Sequence, residues 1–125
     1  MQQAVRKYLK ALEAGDVEKA AALFTADGWV RSPFLGQIPV RDYVAKVAAF
    51  SSGSKLTVYD VLISAEGHMH AVAYYLYDWR LKDGSNISFE CADVFNFDPS
   101  SGRIASIVLV YDTHLVRDAV ENKYP

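Results

Sequence analysis

Asp93 is the residue in this sequence best suited to acid–base chemistry. It lies in a β-rich run in which Cys91 and Phe95, two positions away on either side, share its strand face. A carboxyl group in apolar surroundings has a raised pKa, because burial disfavours its charged form. Such carboxyl groups cluster at functional sites. The alternative, a carboxylate at the sheet rim that only accepts structural hydrogen bonds, stays open.

Tyr8 and Asp112 also carry groups that could take part in chemistry, and each has a simpler explanation. Tyr8 lies on the apolar stripe of the first predicted helix, where a tyrosine is commonly a core aromatic residue whose hydroxyl finds some partner. Asp112 follows Tyr111 at the end of the last predicted strand, where Asp112 or Thr113 would cap a final helix. Position alone assigns neither residue a function.

A metal centre is not expected. His68 and His70 share a strand face and could bind a metal as a pair, but no third ligand is placed to join them. Cys91 is the only cysteine, so no internal disulfide can form, and a lone thiol is commonly a small buried apolar group. We therefore expect chemistry without a metal or an organic cofactor.

Three helices are predicted in the first part of the chain. The first ends at Gly15, Asp16 caps the second, and Pro39 opens the third, which the run Ser51–Ser54 breaks. Their inward-facing residues are Val5, Tyr8, Leu9 and Leu12, then Val17, Ala20, Ala21 and Phe24, then Val40, Tyr43, Val44 and Val47. Between the second and third helices, a turn at 27–28 precedes a short strand over 29–32 that stops at Pro33.

From Lys55 onward the apolar period changes to two, which predicts strands. Turn signals at 66–67, 83–84 and 99–102 divide this part into four β-rich runs, an antiparallel meander. A last helix of about two turns should start near Asp112 or Thr113 and run through Val116 and Val120. Helices followed by hairpin-linked strands indicate the α+β class.

Two-residue turns at 66–67 and 83–84 would fix which side chains share a face. Asp93 and Tyr59 would each lie opposite Tyr74. The face of Asp93 would collect Tyr59, Val61, Val72, Tyr74, Leu76, Phe89, Cys91 and Phe95, and the other face Val58, Leu62, Tyr75, Tyr77, Trp79, Ala92 and Val94. Asp78 would pair with its same-face neighbour Arg80 or mark the mouth of the pocket. Since both faces are too apolar for water, we expect helices on one and a second subunit on the other, in a homodimer.

The composition is that of one ordinary globular domain of 125 residues. The formal net charge is −2, so no basic field exists to attract nucleic acid or an anionic membrane. The start of the sequence, 1–7, is amphipathic and leads into no apolar segment, so a secretory signal is not expected. We predict a cytoplasmic protein.

Several short segments carry a resemblance to a known superfamily. They are Tyr8-Leu9 ahead of Ala14-Gly15-Asp16, the run from Phe24 to Gly36, the run from Ala92 to Asp98, and Gly102-Arg103-Ile104. With the order of elements, they resemble the nuclear-transport-factor-2-like superfamily, which includes ketosteroid isomerase and the SnoaL-like polyketide cyclases. The resemblance implies one domain over 1–125, built as a cone-shaped curved antiparallel sheet with helices on its concave face, a cystatin-like roll. It also implies a dimer formed by the opposite face.

The same resemblance implies roles for particular residues. Ketosteroid isomerase holds an enolate with a tyrosine from its first helix and a protonated aspartic acid from its sheet, and a second aspartate is its general base. Tyr8 and Asp93 stand at the first two positions, whereas Ser32 stands where the family has the aspartate of an Asp-Pro segment. The polyketide cyclases carry a catalytic aspartate near the position of Asp112.

We therefore expect a pocket for a small hydrophobic molecule. The first hypothesis is an isomerase, cyclase or dehydratase, thus an isomerase or lyase, that stabilises the enolate of a carbonyl substrate with Tyr8, Asp93 and Asp112 as catalytic candidates. The expected substrate-binding residues are Ser32, Tyr59, Tyr74, Leu76, Asp78, Phe89, Cys91, Phe95, Ile107, Leu109 and Tyr111. The alternative is a non-catalytic ligand-binding or dimerisation module of the same fold. A pocket filled by its own side chains would favour a scaffolding role.

Overall fold

The computed structural model describes residues 1–117, which form three α-helices and one six-stranded sheet. The helices are α1 (Gln2–Ala14), α2 (Val17–Ala21) and α3 (Val40–Phe50). The strands are β1 (Phe24–Ser32), β2 (Gly36–Pro39), β3 (Ser51–Ile63), β4 (His70–Leu81), β5 (Asn86–Phe97) and β6 (Ile104–Val108). The α+β class and the curved sheet are confirmed.

The sheet has the strand order β2-β1-β6-β5-β4-β3. The predicted meander from β3 to β6 is confirmed, since each of these strands pairs antiparallel with the next. β1 adds to β6 in parallel, and β2 pairs antiparallel with β1. Helix α1 packs on β3 and β4, while α3 packs on β1, β2 and β3. The helices therefore cover one face of the sheet, and the core lies between them.

Local sequence signals place the helices correctly. The stripe of α1 is buried, and Gly15 ends the helix in the left-handed conformation with φ 68°, which glycine adopts without steric cost. The carboxylate of Asp16 caps α2 by accepting a hydrogen bond from the Lys19 backbone N–H at 3.1 Å. Pro39 precedes α3, whose predicted inward residues are all buried.

The segment after α2 differs from the prediction. Helix α2 ends at Ala21, and Phe24 begins β1 opposite Ile104 instead of extending a helical stripe. The turn signal at Gly28 corresponds to an irregularity within β1, where a Cβ would come within 2.6 Å of the Phe24 ring. The short strand β2 was not predicted. The run from Ser51 ends α3 as expected, but it leads directly into β3.

The register of the central hairpin differs by one residue from the prediction. Leu81 and not Lys82 closes the loop, donating its backbone N–H to the Ser85 carbonyl at 2.9 Å, so the connection has three residues with Gly84 at φ 90°. Asp93 therefore lies opposite Ala73 instead of Tyr74. A shift of one residue turns every side chain of a strand to the other face, so the predicted face assignment of β4 was wrong.

The two faces of β4 and β5 are now distinct. On the inner face, under the helices, are the buried residues Ala71, Ala73, Tyr75, Tyr77, Trp79, Leu81, Ile87, Phe89, Cys91, Asp93, Phe95 and Phe97. On the outer face lie Val72, Tyr74, Leu76, Asp78, Ala92 and Val94, which are exposed or half-buried. The predicted two-residue turn at 66–67 is a connection over 64–69, and a bulge after Val58 leaves Tyr59 beside Tyr74 on the outer face, with ring centroids 4.8 Å apart.

The chain after β6 forms a short 3₁₀ helix over Thr113–Leu115, with Asp112 as its N-cap. The predicted final helix is thus no longer than one turn before Val116. The part of that prediction that reaches Val120 lies outside the described residues. No helix within 1–117 is long and apolar enough to cross a membrane.

Candidate functional site

A narrow cavity opens between the inner face of the sheet and helix α3, and we call it the Asp93 cavity. Its polar and aliphatic lining residues are Ser32, Val47, Cys91, Asp93 and Leu109. Its aromatic lining residues are Tyr43, Tyr75, Tyr77, Trp79, Phe89 and Tyr111. The part of the lining that the structure describes is therefore mainly aromatic, with one carboxyl group, that of Asp93.

Asp93 sits in the middle of β5, where strand alternation turns it inward between Cys91 and Phe95. Its side chain is fully buried. One carboxyl oxygen, Oδ2, accepts a hydrogen bond from the Tyr75 hydroxyl at 2.6 Å. The other oxygen, Oδ1, has no hydrogen-bond partner among the described residues. An unpartnered buried oxygen is costly, which makes Oδ1 the natural point of contact for a ligand.

The pKa of Asp93 follows from these surroundings. Burial raises the pKa to about 7, and the hydrogen bond from Tyr75 opposes that rise. Both the protonated and the ionised forms are therefore populated near neutral pH. A group in this range can donate a proton and accept one back without a change of conditions.

Tyr75 takes the position beside Asp93 that the sequence had suggested for Tyr8. Because of the one-residue shift, Tyr75 lies opposite Cys91 on the inner face and reaches Asp93 from β4. Burial and the nearby carboxylate raise the pKa of the Tyr75 phenol well above its ordinary value. Tyr75 therefore stays protonated and acts as a hydrogen-bond donor.

Tyr8 is fully buried behind the cavity rather than in its lining. Its ring packs edge-on against Phe24 and Phe95, with centroids 5.6 and 5.7 Å away. Burial, and then the charge of Asp93, raise the pKa of its phenol well above the ordinary value, so the two groups sense each other electrostatically. The Tyr8 hydroxyl has no hydrogen-bond partner among the described residues. Tyr8 is thus close to Asp93, as the sequence predicted, but it does not line the cavity.

Ser32 lies at the end of β1 and lines the cavity, as expected from the family position. Its Oγ accepts the backbone N–H groups of Phe34 and Leu35 at 3.3 and 3.4 Å. These bonds use the lone pairs of the hydroxyl, which leaves its proton to donate. Ser32 is therefore a candidate hydrogen-bond donor to a ligand, and the residue also holds the turn that follows β1.

Of the other expected substrate-binding residues, Phe89, Cys91, Leu109 and Tyr111 line the cavity. The Tyr111 ring lies 4.9 Å from that of Phe89. Burial raises the pKa of the Cys91 thiol, so this cysteine is protonated and unreactive at neutral pH. Phe95 and Ile107 are fully buried in the core and are not part of the cavity lining.

Four of the expected substrate-binding residues do not share the face of Asp93. Tyr59, Tyr74, Leu76 and Asp78 lie on the outer face, because of the three-residue loop and the bulge in β3. Asp78 accepts a hydrogen bond from the Ser88 hydroxyl, and Arg80 donates to Asn86, so each pairs across the hairpin instead of with the other. These four side chains cannot reach the Asp93 cavity through the sheet.

Asp112 is exposed, and its carboxylate accepts the backbone N–H of His114 at 2.9 Å. This is the capping interaction, and Asp112 is not in the cavity lining. His70 bonds with Asn96, His68 lies 3.5 Å from Glu66, and their rings are 5.9 Å apart. No group of three potential metal ligands occurs within 1–117.

The cavity residues that the sequence did not predict are Tyr43, Val47, Tyr75, Tyr77 and Trp79. Tyr43 and Val47 lie on the inward face of α3, as predicted, but nothing local says that this face meets β5. The other three form an alternating row on β4, and only the assumed loop length turned them outward. A preference for burying the most aromatic side of β4 would have found the correct register.

The cavity is small in its present shape. The empty space among its side chains and at its mouth is about 360 Å³, but only about 20 Å³ can hold the centre of a water-sized sphere. That is room for about one water molecule. The aromatic side chains fill most of the cavity, so a steroid-sized molecule would require several of them to move.

Several solved structures have the same fold at low sequence identity. A protein from Catenulispora acidiphila with a ketosteroid isomerase-like fold, in complex with trimethylamine, has a TM-score of 0.79 and 16% identity over 92% of this chain and 89% of that one. A putative SnoaL-like polyketide cyclase from Shewanella denitrificans has a TM-score of 0.77 and 16% identity over 98% and 97%. An epoxide hydrolase of the LEH-like type from M. tuberculosis has a TM-score of 0.73 and 15% identity over 93% and 85%.

These identities show a shared fold and carry no activity across to this chain. No curated protein is similar enough in sequence to match it. The model of the SnoaL-like domain family, in contrast, matches residues 5–107, which include Tyr8, Ser32 and Asp93. The chain belongs to the SnoaL-like domain family, within the nuclear-transport-factor-2-like superfamily that its sequence resembles.

Proposed function

We propose that this protein is an acid–base enzyme that moves a proton on a small neutral carbonyl compound, in an isomerase-, cyclase- or dehydratase-type reaction. The observation that carries the proposal is the state of Asp93. Its carboxyl group is fully buried in the cavity lining, one oxygen accepts a hydrogen bond from Tyr75, and the other has no partner among the described residues. A pKa of about 7 suits a group that must both take and return a proton near neutral pH.

In the proposed reaction, Asp93 alone takes up the proton and returns it. Ionised Asp93 takes a proton from the carbon next to the substrate carbonyl, and the C–H electron pair forms the C=C bond of an enolate while the negative charge moves to oxygen. The protonated carboxyl group then returns the proton to another carbon, or to a leaving oxygen. The enzyme ends in the state in which it began, and no redox partner is needed.

The developing oxyanion needs a hydrogen-bond donor, and the Ser32 hydroxyl is suited to that role. It retains its proton while its Oγ accepts two backbone N–H groups. The single hydroxyl proton of Tyr75 is donated to Asp93 Oδ2, so Tyr75 orients the carboxyl group. Donors placed at the developing charge contribute strongly to such reactions, because they are already oriented before it forms.

The cavity lining also limits the substrate class. None of the described lining residues is lysine, arginine or histidine. A carboxylate or phosphate group on the substrate would therefore enter an aromatic pocket without a counter-charge, which is unfavourable. A neutral, partly apolar carbonyl compound is the better fit.

The alternative function is a ligand-binding module without catalysis. One observation favours it: Ser32 stands at the position of the family's basic aspartate. In that case Asp93 and Tyr75 would only orient a bound molecule.

Proton exchange with solvent tests the proposal without knowledge of the substrate. Small ketones and β,γ-unsaturated ketones are incubated in D₂O with the protein, and loss of the α-proton signal is followed by NMR. We expect exchange above background that follows the ionisation of Asp93 and disappears in Asp93→Leu. Binding of these compounds without any exchange would support the ligand-binding module instead.

A second test restores the missing family carboxylate. In Ser32→Asp the new carboxylate can accept the same two N–H groups of Phe34 and Leu35, so the turn should be kept. General-base catalysis contributes about 10²- to 10⁴-fold in rate, and Ser32→Asp should raise isomerisation of a β,γ-unsaturated ketone by a measurable part of that factor. The gain should vanish in the double variant with Asp93→Leu. A folded Ser32→Asp without any gain would limit the likeness to ketosteroid isomerase to the fold.

We further propose that the protein forms a homodimer through the outer face of the sheet. The face named from the sequence, that of Tyr75, Tyr77 and Trp79, is covered by helices within the chain. The outer face instead presents large apolar side chains, with Tyr74 42% and Leu62 48% exposed. An apolar face of this kind favours association.

A further inference from the structure

The Asp93 cavity can carry a negative charge, and none of its described lining residues carries a positive charge that would balance it. Tyr8 from α1, Tyr75 from β4 and Cys91 from β5 interact electrostatically with Asp93, while Tyr43 from α3 and Ser32 from β1 share the cavity lining with it. Burial raises the pKa of the phenols of Tyr8 and Tyr75 and of the Cys91 thiol, so these groups are neutral near pH 7. When Asp93 is ionised, its Oδ1 is therefore a buried negative charge without a cation among the described lining residues.

The remaining wall of the cavity consists of aromatic rings in mutual contact. Tyr77 and Phe89 are stacked with centroids 5.4 Å apart and planes 13° apart. Trp79 lies 5.8 Å from Tyr77, and Tyr111 lies 4.9 Å from Phe89. The faces of aromatic rings attract cations, and trimethylated ammonium groups are bound in this way.

We propose that the ionised Asp93 cavity binds a small methylated ammonium cation, with the charge next to Asp93 Oδ1 and the methyl groups against the aromatic wall. A primary ammonium fits less well, because it brings three N–H donors to a cavity with few acceptors. A trimethylammonium has at most one N–H group to donate, and Oδ1 is there to accept it. Because the free space holds only about one water molecule, the aromatic side chains must move apart to admit the cation, and a compact cation requires the smallest movement.

This inference goes beyond the proposed carbonyl chemistry, because binding a cation requires no proton transfer. Both need the carboxylate form of Asp93, so cation binding should tighten as pH rises through about 7, as proton exchange should increase. The two are separated by their readouts: α-proton exchange without choline binding, or choline binding without exchange, shows that one holds and the other fails.

The test compares choline with its neutral isostere 3,3-dimethylbutan-1-ol, in which a carbon atom replaces the nitrogen. Binding to the intact protein is measured by isothermal titration calorimetry and by NMR shifts of the indole N–H of Trp79. We expect choline to bind at least about tenfold more tightly than the isostere at pH 8.5, since a desolvated cation over aromatic rings gains more than the neutral molecule. The difference should shrink at pH 5.5.

Two variants assign the effect to the cavity. Asp93→Asn should abolish the preference for choline, whereas Asp78→Asn, which removes a carboxylate from the outer face, should keep it. Equal affinity for choline and the isostere at pH 8.5, or a preference that survives Asp93→Asn, would overturn the inference. Absence of choline binding at tens of millimolar would do the same. If Asp93→Asn does not fold, the pH dependence in the unaltered protein still decides the question.

Discussion

Two aspartates on neighbouring strands show how the two faces of the sheet differ. Asp93 on β5 accepts a hydrogen bond from the Tyr75 hydroxyl at 2.6 Å, and Asp78 on β4 accepts one from the Ser88 hydroxyl at 2.5 Å. Asp93 is fully buried in an aromatic cavity, whereas Asp78 is half-buried beside an open groove at the hairpin end. The local partner is nearly the same in both cases. The face of the sheet decides which of the two carboxyl groups lines the cavity.

The tyrosines of β4 teach the same lesson. Tyr75 is 2% exposed and bonds to Asp93, while its neighbour Tyr74 is 42% exposed and contacts the Tyr59 ring. Adjacent residues of identical type thus have unrelated surroundings. Each comparison depends on one loop residue between β4 and β5, so matched substitutions on the two faces can test it.

The largest difference should appear in turnover. Asp93→Asn removes the group that transfers the proton while keeping the acceptor oxygen for Tyr75, and it should reduce catalysed α-proton exchange by about 10²- to 10⁴-fold. Asp78→Asn should leave exchange within about twofold, because that side chain cannot reach the cavity. The NMR exchange assay measures both. Equal losses of exchange activity in Asp93→Asn and Asp78→Asn would show that the position of the carboxyl group on the inner face is not what matters for exchange.

The next difference concerns stability and pH. The pKa of Asp93 is raised to about 7 in the folded state, against about 3.9 for an unfolded chain, so the folded state holds the proton more tightly. The resulting stabilisation is complete below about pH 4 and is lost as pH rises to about 7, a change of about 4 kcal/mol. The Asp93→Asn variant has no ionisable side chain at this position. As pH rises from about 4 to about 7, its free energy of unfolding, measured by urea denaturation, should therefore increase relative to that of the unaltered protein by up to this amount. If the free energies of unfolding of the two proteins depend on pH in the same way from pH 4 to 8.5, the pKa of Asp93 is not raised in the folded state.

A smaller difference should separate the two tyrosines. Tyr75→Phe leaves both oxygens of Asp93 without a partner within the described chain and should lower the free energy of unfolding by about 1 to 3 kcal/mol. The same change removes a bond that favours the ionised form, so the activity profile should move to higher pH. Tyr74→Phe should change stability by less than about 0.5 kcal/mol. If the pH dependence of activity in Tyr75→Phe is not shifted, Tyr75 does not influence the ionisation of Asp93.

The smallest effect on the fold is expected on the outer face. Tyr74→Lys places a charge on the exposed apolar surface and should leave the fold and the exchange activity unchanged. If the outer face forms the dimer, the variant should be monomeric at tens of micromolar, whereas the unaltered protein is dimeric by light scattering. A monomeric unaltered protein at that concentration would refute the dimer.

Much of the fold could be read from short segments. The stripe of α1, the glycine at its end, the cap of α2 and the alternation within β5 each depend on residues a few positions apart. Asp93 could be recognised in the same way, since its neighbours Cys91 and Phe95 lie on the same strand. The partner of Asp93 could not, because Tyr75 belongs to another strand and reaches it only through the register.

The sequence by itself determined the order of the three helices and of the meander strands, the α+β class and the strand face that Asp93 shares with Cys91 and Phe95, because helical and strand periodicity are local properties of the chain. Only the tertiary structure decided that Tyr75 and not Tyr74 meets Asp93, that Tyr8 lies behind the cavity, and that Asp78 faces outward. The loop lengths set the register of the strands, and the packing of β3 and β4 against the helices sets which face is buried. One residue more or less in a hairpin loop reverses a whole strand face, and no short segment encodes that choice.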